Sequence, residues 1–348
     1  MVQESSTLQS DEQTAPYRPP SLLLGVISST FRAMTGAYAL SVLGSLWLHF
    51  FADEDWTLVV FTNSVLHLTM LPALVLLPLC LIFRRWGLAA LLTPVVVTWA
   101  VWYGPFFLTP DVPSIADDAP TLTVVTFNLL SNGRDYEAAL DVIEVIDADI
   151  VLLQEVPFRL DELIDARFRE TYPYMQFDSA GIPGMGFLSR LPIIIAGDSW
   201  SEWMVHQRVV VEWADAPLVV YNVHPITPLS FDGFDRRAAD LESIIARALP
   251  EANAGAVILA GDFNITERAD AYDVITSVYT DAYVDVGTGG IDGLGYTFFL
   301  RRIPLARLDY VFTNAALTPV KASVWPERGG SDHAPVVVTL VLSEDSAD

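Results

Sequence analysis

Three long uncharged runs occupy the first third of the chain, and they divide one polypeptide between two physical environments. Residues 33–52 contain no Asp, Glu, Lys or Arg over 20 positions, residues 57–83 form a longer run, and residues 86–108 follow. About 20 helical residues cross a hydrocarbon core of roughly 30 Å. A water-soluble domain can bury one all-apolar helix by surrounding it, but three in succession leave too little chain to do the surrounding. Residues 21–108 are therefore predicted to be a three-span transmembrane region, with residues 1–20 as a polar, disordered cytoplasmic tail. Trp47, Trp56, Trp86, Trp99 and Trp102 include candidate interfacial anchors. For His67, inside the second run, two readings stand: a packed interhelical hydrogen bond or a functional intramembrane group.

The loops give an orientation. Arg18 and Arg32 precede the first run, Asp53, Glu54 and Asp55 follow it, and Arg84 and Arg85 separate the second from the third. Positive charge marks the cytoplasmic side, so an odd number of spans places everything after Leu108 outside. Asp111, Asp117 and Asp118 agree with that side. Residues 109–120, rich in proline, read as a stiff tether. Beyond it charges recur every few residues, predicting a soluble domain over 121–343 and a short acidic tail over 344–348.

The formal net charge is -24. Duplex affinity depends on Lys and Arg meeting phosphates, so this balance argues against an electrostatic nucleic-acid binder. Cys80 is the only cysteine and lies in an apolar run, which removes a disulfide framework and a cysteine-based zinc site.

Within the outer domain, short runs of Val, Ile and Leu predict strands over 122–127, 150–153, 209–213, 218–223, 257–259, 308–312 and 335–342. Helical spacing marks 136–146 and 236–249. Several strands end alike, in one or two polar residues: Asn128, Glu155, His224, and then Asp262 and Asn264 in Gly261-Asp262-Phe263-Asn264. Sites at sheet edges are built this way. Near the last strand, Asp332 and His333 are adjacent on a Gly-rich loop, and Asp309 is available to accept a hydrogen bond from His333 and fix its tautomer.

These residues resemble the endonuclease/exonuclease/phosphatase superfamily, the metal-dependent phosphoesterases that include the type I DNase, abasic-site nucleases, inositol polyphosphate 5-phosphatases and neutral sphingomyelinases. Seven pieces stand in the family's order: Thr126-Phe127-Asn128, Leu153-Gln154-Glu155, Gly186-Phe187-Leu188-Ser189-Arg190, Val223-His224, Gly261-Asp262-Phe263-Asn264, Leu308-Asp309-Tyr310 and Ser331-Asp332-His333. The resemblance implies an α/β fold, a DNase I-like four-layer α/β sandwich preceded by three transmembrane α-helices. It implies that Glu155 is the main ligand of Mg²⁺ or Mn²⁺, with Asn128 beside it and Asp332 on the metal or its waters. Asp262 would orient or deprotonate the attacking water, and Asn264 would donate to a phosphate oxygen. His224, and His333 held by Asp309, would stabilise developing charge. No covalent enzyme intermediate is implied. Leu130 stands where some nuclease members carry an additional acid, which implies a thinner metal shell. Arg190 is expected to pair with an acid on the scaffold.

A three-span anchor before such a domain resembles the membrane-bound branch that includes teicoplanin- and vancomycin-resistance-type membrane proteins. That likeness implies a lipid-linked phosphate substrate of envelope biosynthesis, with the bilayer itself as a partner. On this reading Leu229, Phe231 and Phe234 touch lipid and Arg236 or Arg237 meets a phosphate, the rival for that segment being an ordinary loop capping the next helix. Two alternatives to the functional reading are an anchored extracellular nuclease or phospholipid phosphodiesterase, and a catalytically silent domain that binds phosphorylated groups.

Overall fold

The computed structural model describes residues 22–343 except 53, 55, 109, 111, 117, 118, 134, 179, 229 and 289–292. The tails 1–20 and 344–348 thus lie outside the described residues, as do Asp53, Asp55, Asp111, Asp117 and Asp118 of the orientation argument. Three helices come first: α1 (Leu22–Phe51), α2 (Thr57–Ile82) and α3 (Trp86–Tyr103), the last running into a 3₁₀ turn at Gly104–Phe107. All three are long and apolar enough to cross a membrane. Pro72, Pro78 and Pro94 lie inside α2 and α3, where packing against neighbouring helices offsets the missing amide bonds. Ala39, Val42, Leu66, Met70, Ala73 and Leu92 form the seam between the helices. The first helix starts earlier than the uncharged run suggested and takes in Arg32, whose Nε donates to Ser28 O (3.3 Å), while Arg85 Nη2 donates to Ser28 Oγ (2.6 Å). The two basic positions therefore share one end of the bundle.

The remaining elements are β1 (Thr121–Asn128), α4 (Tyr136–Ile146), β2 (Ile150–Gln154), α5 (Leu160–Phe168), β3 (Tyr174–Asp178), β4 (Met185–Ser189), β5 (Ile193–Ser201), β6 (Val205–Trp213), β7 (Ala216–Val223), α6 (Phe231–Glu251), β8 (Ala256–Asp262), α7 (Asp270–Thr276), β9 (Thr280–Asp281), α8 (Ala282–Val286), β10 (Phe298–Leu300), β11 (Ile303–Ala306), β12 (Asp309–Thr313), β13 (Leu317–Val324) and β14 (Val336–Leu342). They build two six-stranded sheets, ordered β13-β14-β1-β2-β4-β3 and β5-β6-β7-β8-β12-β9, plus the β10-β11 hairpin. The pairs β1/β2 and β7/β8 are parallel; the other strand pairs are antiparallel.

Period-two alternation explains the layering. In β1, Leu122 and Val124 face the core between the sheets, and Val125 and Phe127 face Leu140 and Ile143 of α4 and Ile164 of α5. In β8, Ile258 and Ala260 face the same inter-sheet core, and Val257 and Leu259 face Leu241 and Ile244 of α6 and Ile275 of α7. Helix, sheet, sheet and helix make the four layers. Because β1, β2, β7 and β8 all end at the same side, their carboxyl ends share one edge of the sandwich.

That edge is packed against the helices. The chain just past β8 touches α2, α3 and the turn between α1 and α2. Thr266 Oγ1 donates to Asn63 O (3.4 Å), Arg268 lies over Trp102 (4.7 Å), and Asp270 N donates to Glu54 Oε2 (3.1 Å). Glu54 in turn accepts from Asn63 Nδ2 (2.7 Å). His67 bonds neither of its helical neighbours; its Nε2 lies 2.6 Å from Leu305 O of β11. The interhelical reading of His67 is corrected on that point, because the buried face of α2 at this level belongs to the sandwich.

Candidate active site

Two backbone features bring β8 to the edge in the required form. Gly261 sits at φ 148°, and a Cβ there would lie 1.9 Å from Val223 O, so only glycine lets β8 approach β7 this closely. Asp262 remains in the strand and the chain turns at Asn264, in the left-handed region at φ 53°. Asn tolerates that conformation with little cost. Glu155 follows β2 at φ 54°. A non-Gly residue held there stores local strain, which clusters at functional positions.

The antiparallel register sets Asp309 of β12 opposite Asp262 of β8. His333 reaches both: Nδ1 lies 2.8 Å from Asp309 Oδ2, and Nε2 lies 3.7 Å from Asp262 Oδ2. From the other sheet, Asn128 Nδ2 donates to Asp262 Oδ2 (3.0 Å) and lies 3.3 Å from Glu155 Oε1. His224 Nε2 is 3.7 Å from Asp262 Oδ2 and 3.9 Å from Glu155 Oε1. Asn264 N donates to Asp262 Oδ1 (2.9 Å), which orients the carboxylate from its own strand end. Asp262 is thus the hub where the two sheets meet. Both ring nitrogens of His224 and Asp309 Oδ1 are buried without a hydrogen-bond partner among the described residues. Such groups are costly unless something else completes them.

Burial sets the protonation of this cluster. It pushes the Asp262 carboxyl up to about 7, against the opposing pull of His333 and the hydrogen bonds from Asn128 and Asn264. Burial drives His224 down to about 4, so it is a neutral imidazole beside Glu155. For His333, burial is outweighed by the charges of Asp309 and Asp262, which push it up to about 10. One histidine is a charged group and the other a neutral one. Asp332 is also raised, by partial burial, with Glu155 and Asp309 adding to the effect against His333.

The donor set suits a hard divalent cation, with two candidate places for it. Ligand atoms of Asp262, Asp309 and His333 lie within 4.8 Å of one another. These three are already tied together by the His333–Asp309 bond and by the bonds that Asp262 accepts. Glu155 and Asp332 are less buried, and carboxylate oxygens open to water match the oxygen-rich, partly hydrated shell of Mg²⁺ or Mn²⁺. Glu155 Oε2 also accepts from Ser131 N (2.9 Å), which fixes the carboxylate direction.

A sequence profile for the Endonuclease/Exonuclease/phosphatase family matches residues 125–333. The chain belongs to this family. Solved structures with the same fold include an endonuclease/exonuclease/phosphatase from Beutenbergia cavernae, 23% identical over 64% of this chain and 72% of that one, with a TM-score of 0.53. A Bacteroides vulgatus endonuclease/exonuclease/phosphatase is 19% identical over 64% of this chain and 100% of that one, with a TM-score of 0.52. Truncated Caenorhabditis elegans TDP2 is 18% identical over 64% and 98%, also with a TM-score of 0.52. At these identities the likeness is one of fold. No curated protein matches the chain. Family members are typically hydrolases of phosphodiester bonds and typically depend on a divalent metal.

The structure brings Asn128, Glu155, His224, Asp262, Asn264, Asp309, Asp332 and His333 to one edge of the sandwich. Arg237 is turned onto the scaffold next to Asn264. Arg237 is 4% exposed, its guanidinium donates to Asn264 O and covers the Phe234 ring, and burial lowers it to about 10. Arg236 lies over Trp203 (4.7 Å). Leu229 and the Phe231 side chain lie outside the described residues. Ser230 caps α6 by accepting from Gly233 N (3.2 Å), so the segment is a helix start. Arg190 pairs with Asp147 and Asp149 on the scaffold.

Other contributors have roles that only the three-dimensional arrangement shows. Ser331 Oγ donates to Asn128 O (2.7 Å) and accepts from His333 N (3.0 Å), joining the two sheets at the site. Thr297 Oγ1 accepts from Leu308 N and Asp309 N (3.0 and 3.1 Å). Behind the site, Gln154 Nε2 donates to Asn222 Oδ1 (2.7 Å), and Asn222 Nδ2 donates to Gln207 Oε1 (3.0 Å). Gln154 and Asn222 each precede a site residue or its neighbour, a doubled polar strand end that could have flagged them.

Proposed function

We propose that the chain is a membrane-anchored, outward-facing, divalent-metal-dependent phosphoesterase that hydrolyses a phosphate ester or diphosphate of a lipid-linked envelope substrate. The observation that carries this reading is the position of Asp262, bonded to Asn128 and Asn264 and set within 3.7 Å of both His224 and His333. An ester phosphate resists attack until its charge is offset and a water is activated. Asp262, with its pKa raised to about 7, is suited to accept the proton of that water near neutral pH. His333, kept cationic by Asp309, donates from Nε2 toward the phosphoryl oxygens. Asn264 Nδ2 spends one hydrogen on Pro225 O (2.9 Å) and has its second for a non-bridging oxygen. His224, neutral, supplies one N–H donor without adding charge. Glu155, Asn128 and Asp332 would hold the cation, which supplies Lewis-acid neutralisation of the phosphoryl charge when bound.

The lipid-linked part of the reading is supported by the packing of the edge against the helices at Asn63, His67 and Trp102. The outward side is supported by the shared end of Arg32 and Arg85, opposite Glu54. The test is hydrolysis of polyprenyl phosphate, polyprenyl diphosphate, a phospholipid and DNA by detergent-solubilised protein with Mg²⁺ or Mn²⁺, beside Asp262→Asn. Turnover of the isoprenoid phosphates alone, lost in the variant, is the expected result. Cleavage of phospholipid or DNA instead would overturn the substrate and keep the chemistry.

A further inference from the structure

The helices also fix which way the catalytic edge points. α6 begins at that edge, just after His224 and Pro225, and runs back along the sandwich. The first turn of α2 lies beside α6: Thr57 and Val60 share a cavity of about 590 Å³ with Arg237, Leu241 and Ile245. Further along α2, Asn63 meets Thr266 and His67 meets Leu305, both in segments at the catalytic edge. Following α2 toward its carboxyl end therefore leads from the flank of the sandwich down to that edge.

Length then sets the depth. Beyond His67, α2 has residues 68–82, which span about 22 Å at 1.5 Å per residue. A hydrocarbon core is roughly 30 Å thick. The part of α2 free of the sandwich cannot by itself span the core, so the catalytic edge must sit at the level of the headgroups or just below them. Arg268 over Trp102, near the end of α3, marks the same level.

The rim of this edge has the composition such a position needs. Phe158 is 83% exposed and Ile182 is 55% exposed, and their loops are joined by Gly181 N donating to Val156 O (2.8 Å) beside Glu155. At the β10-β11 turn, Leu300 and Ile303 are 58% and 63% exposed. Between them stand Arg301 and Arg302, both exposed and without an ion pair among the described residues, in a chain of net charge -24. The base of this hairpin is tied to the site: Phe299 N donates to Asp332 O (2.8 Å) and the Phe298 ring lies 5.2 Å from that of His333. At the opposite edge two turns, Ala214 with Asp215 and Asn253 with Ala254, are small or polar and exposed. Exposed apolar side chains with two arginines between them match the boundary between acyl chains and lipid phosphates, where apolar tips sink about 5–10 Å and cations meet the headgroups.

We propose that the catalytic edge is a bilayer-contact face, with Phe158, Ile182, Leu300 and Ile303 in the headgroup–acyl boundary and Arg301 and Arg302 on lipid phosphates. The site then faces the membrane surface. This rests on α1, α2 and α3 spanning a bilayer and not on the identity of the substrate.

The experiment reads contact and not turnover, so it stands apart from the hydrolysis panel. Cys80, the only cysteine, is replaced by alanine, and single cysteines are placed at Ile303→Cys, Phe158→Cys and Asp215→Cys. Each full-length protein is labelled with a small fluorophore and set in phosphatidylcholine–phosphatidylglycerol nanodiscs with a nitroxide on the lipid headgroup. Emission at Ile303→Cys and Phe158→Cys is expected to fall severalfold, with Asp215→Cys unchanged. Adding Arg301→Glu and Arg302→Glu is expected to relieve quenching at Ile303→Cys while the far-UV circular dichroism stays the same. Quenching that is equal at all three positions, or absent at Ile303→Cys and Phe158→Cys, overturns the proposal.

Discussion

Two halves of the site meet at the shared edge and differ in burial. The half contributed by β8, β12 and the loop before β14 is closed: Asp262, Asp309 and His333 are all less than a tenth exposed and tied to one another. The half around Glu155, which follows β2, and Asp332, which stands beside His333 in the loop before β14, is more open: Glu155 keeps 14% of its side chain accessible and Asp332 is only partly buried. Burial shifts protonation equilibria, whereas access admits a hydrated cation and its waters. The contrast separates Asp262 and His333, whose protonation is shifted in the closed half, from the carboxylates left more open to water, with Asn128 bonded to both Asp262 and Glu155.

Breaking the closed half has the largest expected effect. Asp262→Asn removes the proton acceptor and is expected to lower kcat by about 10²–10⁴-fold, while calorimetric cation binding changes little. In the unaltered protein kcat is expected to fall as pH drops below about 7, where the Asp262 carboxylate becomes protonated. A bound cation moves that limb lower. If Asp262→Asn retains the same acid limb, Asp262 is not the group that titrates.

The open half is tested next. Asn128→Ala removes the amide beside Glu155, and loss of such a supporting partner weakens cation affinity by about 10–100-fold. Titration with Mn²⁺ followed by electron paramagnetic resonance reads this without turnover. An unchanged affinity would place the ion with Asp262, Asp309 and His333 instead, and would erase the contrast between the halves.

Asp309→Asn sharpens the comparison from within the closed half. His333 is held up to about 10 against its burial by Asp309 first and Asp262 second, so losing the first partner lowers its pKa. The alkaline limb of the kcat profile is expected to move toward neutral pH. The smallest effect is expected for Arg237→Met, which keeps the packing on Phe234 and removes the donor to Asn264 O. Leaving that buried carbonyl unsatisfied costs about 1–3 kcal/mol, read by thermal unfolding.

Elements with strong periodicity were legible in the sequence. The helix over residues 136–146 appears with those limits, and α2 starts at Thr57 as its uncharged run does. Strand-end polar residues located most of the site, because an apolar run that stops at Asn, Glu or Asp sets a polar side chain at the rim of a buried sheet. The β10-β11 hairpin and the roles of Thr297 and Ser331 were not legible. Short strands and hydroxyl-to-backbone bonds depend on which segments meet in three dimensions, and they leave no periodic trace. Arg237 was misplaced for a related reason. A guanidinium near aromatic residues reads as a phosphate contact until its burial is known, and burial is a tertiary property. His67 followed the same pattern, since its partner comes from a strand more than 200 positions away.

The clasp between residues 266–270 and the helices has a further consequence, for how separable the parts of this protein are. Thr266, Arg268 and Asp270 follow directly after Asn264, and their partners Asn63, Trp102 and Glu54 all precede Pro120. A fragment that starts at Thr121 would keep every candidate site side chain and lose the partners of Thr266, Arg268 and Asp270. The three apolar helices and the sandwich therefore share one packed surface next to the site, and a change on one side alters what the other rests on.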